Sequence, residues 1–233
     1  MRMSADVRRL DYGYFIRPTA ETGTGGPRAE PVLGYLVRLE RGLLLFDTGM
    51  GGDGEPDLTA HYRPRRHDLE AALARAGVQP ADITLVVNCH LHFDHCGGNP
   101  RLAGTPVLVQ RTELGLARGG DYTLPYLVDF PGARYEEVDG EVTVAAGIFV
   151  VPTPGHTAGH QSLVVRCDDG TVILAGQAHD FATGMSGDLL ARQAEADGAG
   201  PPRPGYQPWL DRLLAFDPAR IVFAHDLAVV EPG

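Results

Sequence analysis

The stretch Asn88-Cys89-His90-Leu91-His92-Phe93-Asp94-His95-Cys96-Gly97-Gly98-Asn99 constrains this chain more than any other. Three imidazoles and one carboxylate fall within six residues, soon after the branched apolar run Ile83 to Val87. Such a run reads as a buried strand. The potential ligands therefore sit where the strand ends, and Gly97-Gly98 lets the chain turn tightly beyond them. Side chains packed this closely repel or lie idle unless a cation gathers them, and zinc favours this mixture of nitrogen and oxygen donors. In an extended segment side chains alternate, so His90 and His92 share one side and can grip one ion. As the chain turns, Asp94 and His95 can swing towards a second position. Two metals roughly 3.5 to 4 Å apart is the arrangement that activates a bridging hydroxide.

The pattern His90-x-His92-x-Asp94-His95 resembles the signature of the metallo-β-lactamase superfamily, and the motifs recur in order from about Leu33 to Asp226. That resemblance implies an α/β fold, a four-layer αβ/βα sandwich with the metals at one sheet edge. Within the superfamily the likeness is to N-acyl-homoserine lactone lactonases, which quench quorum sensing. It is carried by Asp47-Thr48-Gly49-Met50, His90 to Asn99, Val109 to Glu113, and Thr153-Pro154-Gly155-His156 through His160-Gln161-Ser162. The resemblance implies that His90, His92 and His156 bind one divalent ion and that Asp94, His95 and His225 bind another. Zinc is the first choice, although iron, cobalt and manganese can use such ligands. Asp47 would hold a metal-binding histidine in its tautomer. His160 leads into the next strand and is expected to hydrogen-bond inside the scaffold.

One position departs from the family. Where an aspartate is expected to bridge both metals, this chain has Gln177, a weaker neutral donor. Asp180 stands three residues later, where the lactonases often carry a tyrosine, and His179 lies between. Either Asp180 supplies the missing carboxylate or Gln177 leaves one metal loosely held. The implied reaction is hydrolysis of a lactone ring by metal-bound hydroxide attack on the ester carbonyl, for an N-acyl-homoserine lactone or a related γ-lactone. Asp94 would then hand a proton to the leaving alkoxide, a role Asp180 could share. The alternatives are a glyoxalase II-like thioester hydrolase, another ester hydrolase, or a non-catalytic ligand- or metal-binding relative that Gln177 has cost its chemistry.

Elsewhere the chain predicts strands at Val7–Ile16, Val107–Val109, Glu141–Val144, Ile148–Val151 and Ile221–Ala224. Hairpins are expected at Val32–Phe46 and at Leu163–Leu174. Helices are expected at Asp68–Ala76, Arg111–Arg118 and Trp209–Phe216. The Gly-, Ala- and Pro-rich residues 182 to 206 predict a mobile flap or an inserted loop. The segment Tyr122 to Phe130 either covers the core or walls an apolar cleft, and a substrate tail would lie against it or the flap. At 233 residues and 43% hydrophobic content, one domain spanning residues 1–233 is the economical expectation. A formal charge of −10, from 20 basic and 30 acidic residues, argues against a nucleic-acid partner. Residues 1–10 lack a signal-peptide core and no run is long enough to span a membrane. Three cysteines cannot all pair, which fits a reducing cytoplasm. Cys89 and Cys96 read as small buried residues beside the site. A monomer or homodimer acting on a small-molecule lactone or ester is expected.

Overall fold

The computed structural model describes residues 6–23, 25–199 and 205–232. Among them, seven strands form the first sheet: β1 (Val7–Arg17), β2 (Arg28–Arg38), β3 (Leu43–Phe46), β4 (Arg65–Arg66), β5 (Ile83–Val87), β6 (Pro106–Gln110) and β7 (Arg134–Val138). Their order across the sheet is β4-β1-β2-β3-β5-β6-β7. The second sheet holds β8 (Val142–Ala145), β9 (Ile148–Pro152), β10 (Gln161–Cys167), β11 (Gly170–Leu174) and β12 (Pro218–Val222), in the order β12-β11-β10-β9-β8.

Alternation along the strands builds the layers. β5 is parallel to both neighbours, β3 and β6, and such strands need both faces covered. Val86 packs with Leu69, Leu73 and Leu114 from the helices Leu69–Arg75 and Arg111–Ala117, while Val87 packs with Leu163 and Leu174 of the second sheet. On β10, Leu163 and Val165 face the first sheet. Val164 faces Trp209, Leu210 and Leu213 of the helix Trp209–Leu214. Helices, sheet, sheet and helices therefore stack as the expected αβ/βα sandwich.

The expected flap is corrected. Residues Ala182–Ala196 form the longest helix, with Ala182, Met185 and Ala191 buried. Its apolar positions are small or widely spaced, and Gly184 and Gly187 interrupt them, so local periodicity is weak. Tertiary contacts supply what periodicity lacks: Asp226 Oδ2 accepts the Ala182 N–H at 2.9 Å, and Met185 is wholly buried. Residues 200–204 of the predicted flap lie outside the described residues, as do residues 1–5 of the N-terminal stretch. Strand β7 was not expected, because Arg134, Glu136 and Glu137 are exposed and read as polar loop, a composition that suits a sheet edge.

Parallel pairing of β3 with β5, and of β11 with β12, sends several chain segments out at one end of the sandwich. Backbone bonds knit these segments together. Thr48 N–H donates to His95 O, Gly97 N–H to Gly49 O, Gln161 N–H to Cys89 O and Leu33 N–H to Ala224 O. The approach at Gly97 leaves no room for a side chain. A Cβ there would lie 1.8 Å from Gly51 N and 2.1 Å from the Met50 carbonyl carbon. Gly97→Ala is therefore expected to cost about 3 kcal/mol or more, at the upper end of overpacking penalties. That corresponds to a thermal midpoint lowered by roughly 6–12 °C. An unchanged midpoint in a melting experiment would mean that the two loops separate freely.

Candidate metal centre

Each expected ligand, and the supporting Asp47, follows the end of a strand. Asp47 comes directly after β3 and takes a positive φ of 59°, a conformation aspartate tolerates better than most side chains. His90, His92, Asp94 and His95 follow β5, His156 follows β9, and Gln177 follows β11. His225 comes three residues beyond β12. The structure brings these segments together in two groups. The ring nitrogens of His90, His92 and His156 lie within 4.8 Å of one another, as do donor atoms of Asp94, His95 and His225.

The spacing within each group matches a shared cation. His92 Nδ1 is 2.9 Å from His90 Nε2 and 3.1 Å from His156 Nε2. His95 Nε2 is 3.1 Å from His225 Nε2, with Asp94 Oδ2 at 3.4 Å from His225 and 3.7 Å from His95. Nitrogens bound at about 2.0–2.1 Å on a tetrahedral zinc would lie roughly 3.3 Å apart. Converging imidazoles without a cation would face lone pair to lone pair, so the donor set fits divalent ions.

The outward nitrogens fix the tautomers, assigned from their partners. His95 Nδ1 donates to Asp47 Oδ2 at 3.0 Å, and His225 Nδ1 donates to the Pro31 carbonyl at 2.9 Å. In both rings Nε2 keeps its lone pair for the centre. Asp47 Oδ1 also accepts the Cys89 N–H at 2.8 Å, which anchors the first residue of the ligand loop. Cys89 itself is more than filler. Its Sγ lies 3.0 Å from Asp47 Oδ2 and 3.1 Å from His90 Nδ1. His160 is fully engaged, with Nδ1 against Thr153 O at 3.0 Å and Nε2 accepting the Gln177 N–H at 3.0 Å.

Electrostatics prepares these groups for a cation. Burial, reinforced by neighbouring rings, holds His90 well below the ordinary imidazole range. Burial also dominates at His92 and His156, lowered to about 4 and about 3. His225 is lowered mainly by burial. At His95, burial is outweighed by the carboxylates of Asp94 and Asp47, and its pKa is raised. Burial would raise Asp94, but His95, His225, His92 and Arg17 hold it at about 2. Mostly neutral imidazoles beside an ionised carboxylate are the protonation states that metal ligation requires.

Gln177 is buried, and its Nε2 donates to Asp180 Oδ1 at 2.8 Å. The same amide interacts with the His95 ring. Asp180 thus lies behind Gln177 and is not in either donor group. His179 turns away, with Nε2 3.0 Å from Asp188 Oδ2.

A cavity of about 290 Å³ opens over His92, Asp94, His156 and Gln177. Of the segment Tyr122–Phe130, only Tyr122 lines it. Leu127, Val128 and Phe130 are buried, the first two in the core beneath the first sheet. The remaining walls are Phe15 and Arg17 of β1, Glu21, Tyr62 and Phe93, and the Ala182–Ala196 helix takes no part. Tyr62 stacks on Phe93 with ring centroids 5.2 Å apart. Glu113 reads in the sequence only as the end of the Val109–Glu113 motif, yet it joins three segments of the site. It accepts the Leu91 N–H at 2.8 Å, the Thr157 hydroxyl at 2.7 Å and the Tyr122 hydroxyl in a short bond. A glutamate in the first turn of a helix gives no sequence signal of such a role. Arg17 and Phe15 likewise read only as strand residues.

The family model of the metallo-beta-lactamase superfamily matches residues 27–225. An N-acyl homoserine lactonase of Bacillus sp. is 34% identical over 161 residues, which is 62% of this chain and 62% of that protein. The N-acyl homoserine lactonase AttM of Rhizobium radiobacter is 34% identical over 174 residues, covering 65% of this chain and 66% of its own length. The match thus spans less than two thirds of these curated relatives. An N-acyl homoserine lactone hydrolase, solved with the product N-hexanoyl-L-homoserine at its catalytic metal center, superposes with a TM-score of 0.72. It is 26% identical and covers 97% of this chain and 95% of that one. AidC, a dizinc quorum-quenching lactonase, shares the fold at a TM-score of 0.66 and 16% identity, covering 97% of this chain and 89% of its own.

Proposed function

This chain belongs to the metallo-β-lactamase superfamily, and we propose that it is a metal-dependent hydrolase that opens a lactone ring, with N-acyl homoserine lactones as the first substrate class. One observation carries the proposal: two ligand groups, His90–His92–His156 and Asp94–His95–His225, converge beneath a largely aromatic cavity. The lactonase relatives support the substrate class. Zinc is the first candidate for both positions, and the dizinc relative supports it. When bound, such ions would supply a water of pKa near 7 and polarise the ester carbonyl.

The chain's own residues do the rest. Asp94 takes the proton from the attacking water on a carboxylate oxygen and returns it to the departing ring oxygen. Tyr122, Tyr62, Phe15 and Phe93 shield the ester from bulk water. Asp180 takes the NH₂ group of Gln177, which leaves the amide oxygen available to a bound ion, so a neutral donor backed by a charge takes the place of the family's carboxylate. Asp180 then sets the orientation of Gln177, with sharing of the proton a secondary role. Among the described residues both sheets contribute to one core cluster, which supports reading residues 1–233 as a single domain. No described helix is long and apolar enough to cross a membrane. The free thiols of Cys89, Cys96 and Cys167 favour a cytoplasmic setting, and the charge of −10 disfavours nucleic acid.

Ring opening releases an acid, so a pH indicator reads it directly. Zinc- or cobalt-loaded protein is expected to release protons from short- and long-chain N-acyl homoserine lactones and to stop on chelation. Release from a thioester but from neither lactone would transfer the activity to the glyoxalase II-like class. Full metal loading without hydrolysis of lactone, ester or thioester would favour a binding protein, the reading that Gln177 supports.

A further inference from the structure

Among the described residues Arg17 is the one cationic side chain on the cavity wall, and it makes none of the proton transfers described above. It ends β1 opposite Arg28 in the β1–β2 register. Both guanidiniums are held by Glu30, which is completely buried. Glu30 Oε1 accepts from Arg17 Nε at 2.8 Å and from Arg28 Nε and Nη2 at 2.9 and 2.7 Å. Its second oxygen, Oε2, is buried without a partner among the described residues. An orphaned carboxylate oxygen is a cost that calls for an explanation, and rigid placement of Arg17 supplies one.

The other donors of Arg17 are lightly used. Nη1 reaches Glu21 Oε2 at 3.4 Å, and Nη2 makes no hydrogen bond among the described residues. Arg17 and Arg28 are balanced by Glu30 and Glu21, so the group presents an N–H donor with little net charge. Such a donor suits a neutral carbonyl better than a free anion. Phe15, Tyr62 and Phe93 make the neighbouring wall aromatic. A single fixed donor on an apolar wall reads one acceptor position, and a site built this way rejects analogues that lack it.

Building on the lactone reading, we propose that Arg17 is a specificity-determining residue that donates a hydrogen bond to a carbonyl oxygen beside the scissile ester. In a homoserine lactone that acceptor is the acyl amide oxygen.

The test compares N-hexanoyl homoserine lactone with α-heptyl-γ-butyrolactone, which has a similar side-chain length but no amide, on metal-loaded enzyme. Arg17→Met is expected to lower kcat/KM on the amide lactone about 10- to 100-fold, the effect of losing a hydrogen bond to a charged group. The alkyl lactone should change by less than about 3-fold, because the lost contact is absent from it. Calorimetric binding of N-hexanoyl-homoserine should weaken in parallel. Arg28 still pairs with Glu30 in this variant, and a melting curve checks folding. Arg17→Lys keeps the charge near Glu30 without the fork, and is expected to show the same selective loss to a smaller degree. Equal losses on both substrates, or no loss on either, would overturn the role of Arg17 alone. Failure of the wild-type protein to bind or open either lactone would overturn the lactone reading and this assignment together.

Discussion

Asp94→Asn is expected to lower kcat for lactone opening by about 10²- to 10⁴-fold at saturating metal, the usual effect of removing a positioned proton-transfer group. Opening the ring requires one proton to leave the attacking water and one to reach the ring oxygen. Asp94 is buried yet lines the cavity, so one carboxylate serves both the donor cluster and the reacting ester. Burial alone would keep it protonated, but His95, His225, His92 and Arg17 hold its pKa at about 2, so it begins as a base. Asparagine is nearly isosteric and keeps an oxygen donor, but it cannot carry the proton. It also removes charge that supports His95 from 3.7 Å away. Metal content is therefore measured beside turnover. Two bound ions with wild-type kcat would remove Asp94 from the proton path. A loss cured entirely by excess metal would leave it a ligand role only.

Much of the fold was legible because β5 and its neighbours are short branched runs that end in polar turns. The candidate donor groups were legible for a related reason: imidazoles crowded onto a strand end have few other uses, and the later histidines recur after further strands. The carboxylates that organise the site are a different matter. Glu113 works through Leu91, Thr157 and Tyr122, residues 9 to 44 positions away in the chain, and no local pattern encodes those meetings. Arg17 reaches the cavity because a buried Glu30 on the neighbouring strand holds it, a pairing that depends on the β1–β2 register. The Ala182–Ala196 helix failed as a sequence expectation because its stability comes from Asp226 and from burial of Met185, not from an apolar stripe. Gln177 was visible at once as a departure. Its bond to Asp180 depends on how the turn after β11 folds.

Asp47→Asn is expected to weaken one of two bound ions by about 10- to 100-fold while leaving the fold and the other ion nearly untouched, the usual range for a residue that orients a ligand. The reasoning follows two oxygens. Asp47 Oδ1 accepts the Cys89 N–H at 2.8 Å, a bond the asparagine oxygen can keep. Oδ2 accepts from His95 Nδ1 at 3.0 Å, where the variant would present an NH₂ group instead. Donor cannot face donor, so His95 would turn to the other tautomer and carry its proton on Nε2. That is the atom 3.1 Å from His225 Nε2, which the proposed Asp94–His95–His225 position needs unprotonated. Asparagine also tolerates the positive φ at this position, so backbone strain adds little. Asp47→Ala is a harsher change, because it orphans both the Cys89 N–H and the His95 ring at a cost of about 1–3 kcal/mol each. Zinc titration of the metal-free variant distinguishes the outcomes. One tight and one weak site would place Asp47 in control of the His95 tautomer. Two sites of wild-type affinity would mean that His95 takes its tautomer from elsewhere, and Cys89 Sγ, 3.3 Å from His95 Nδ1, would be the next side chain to change.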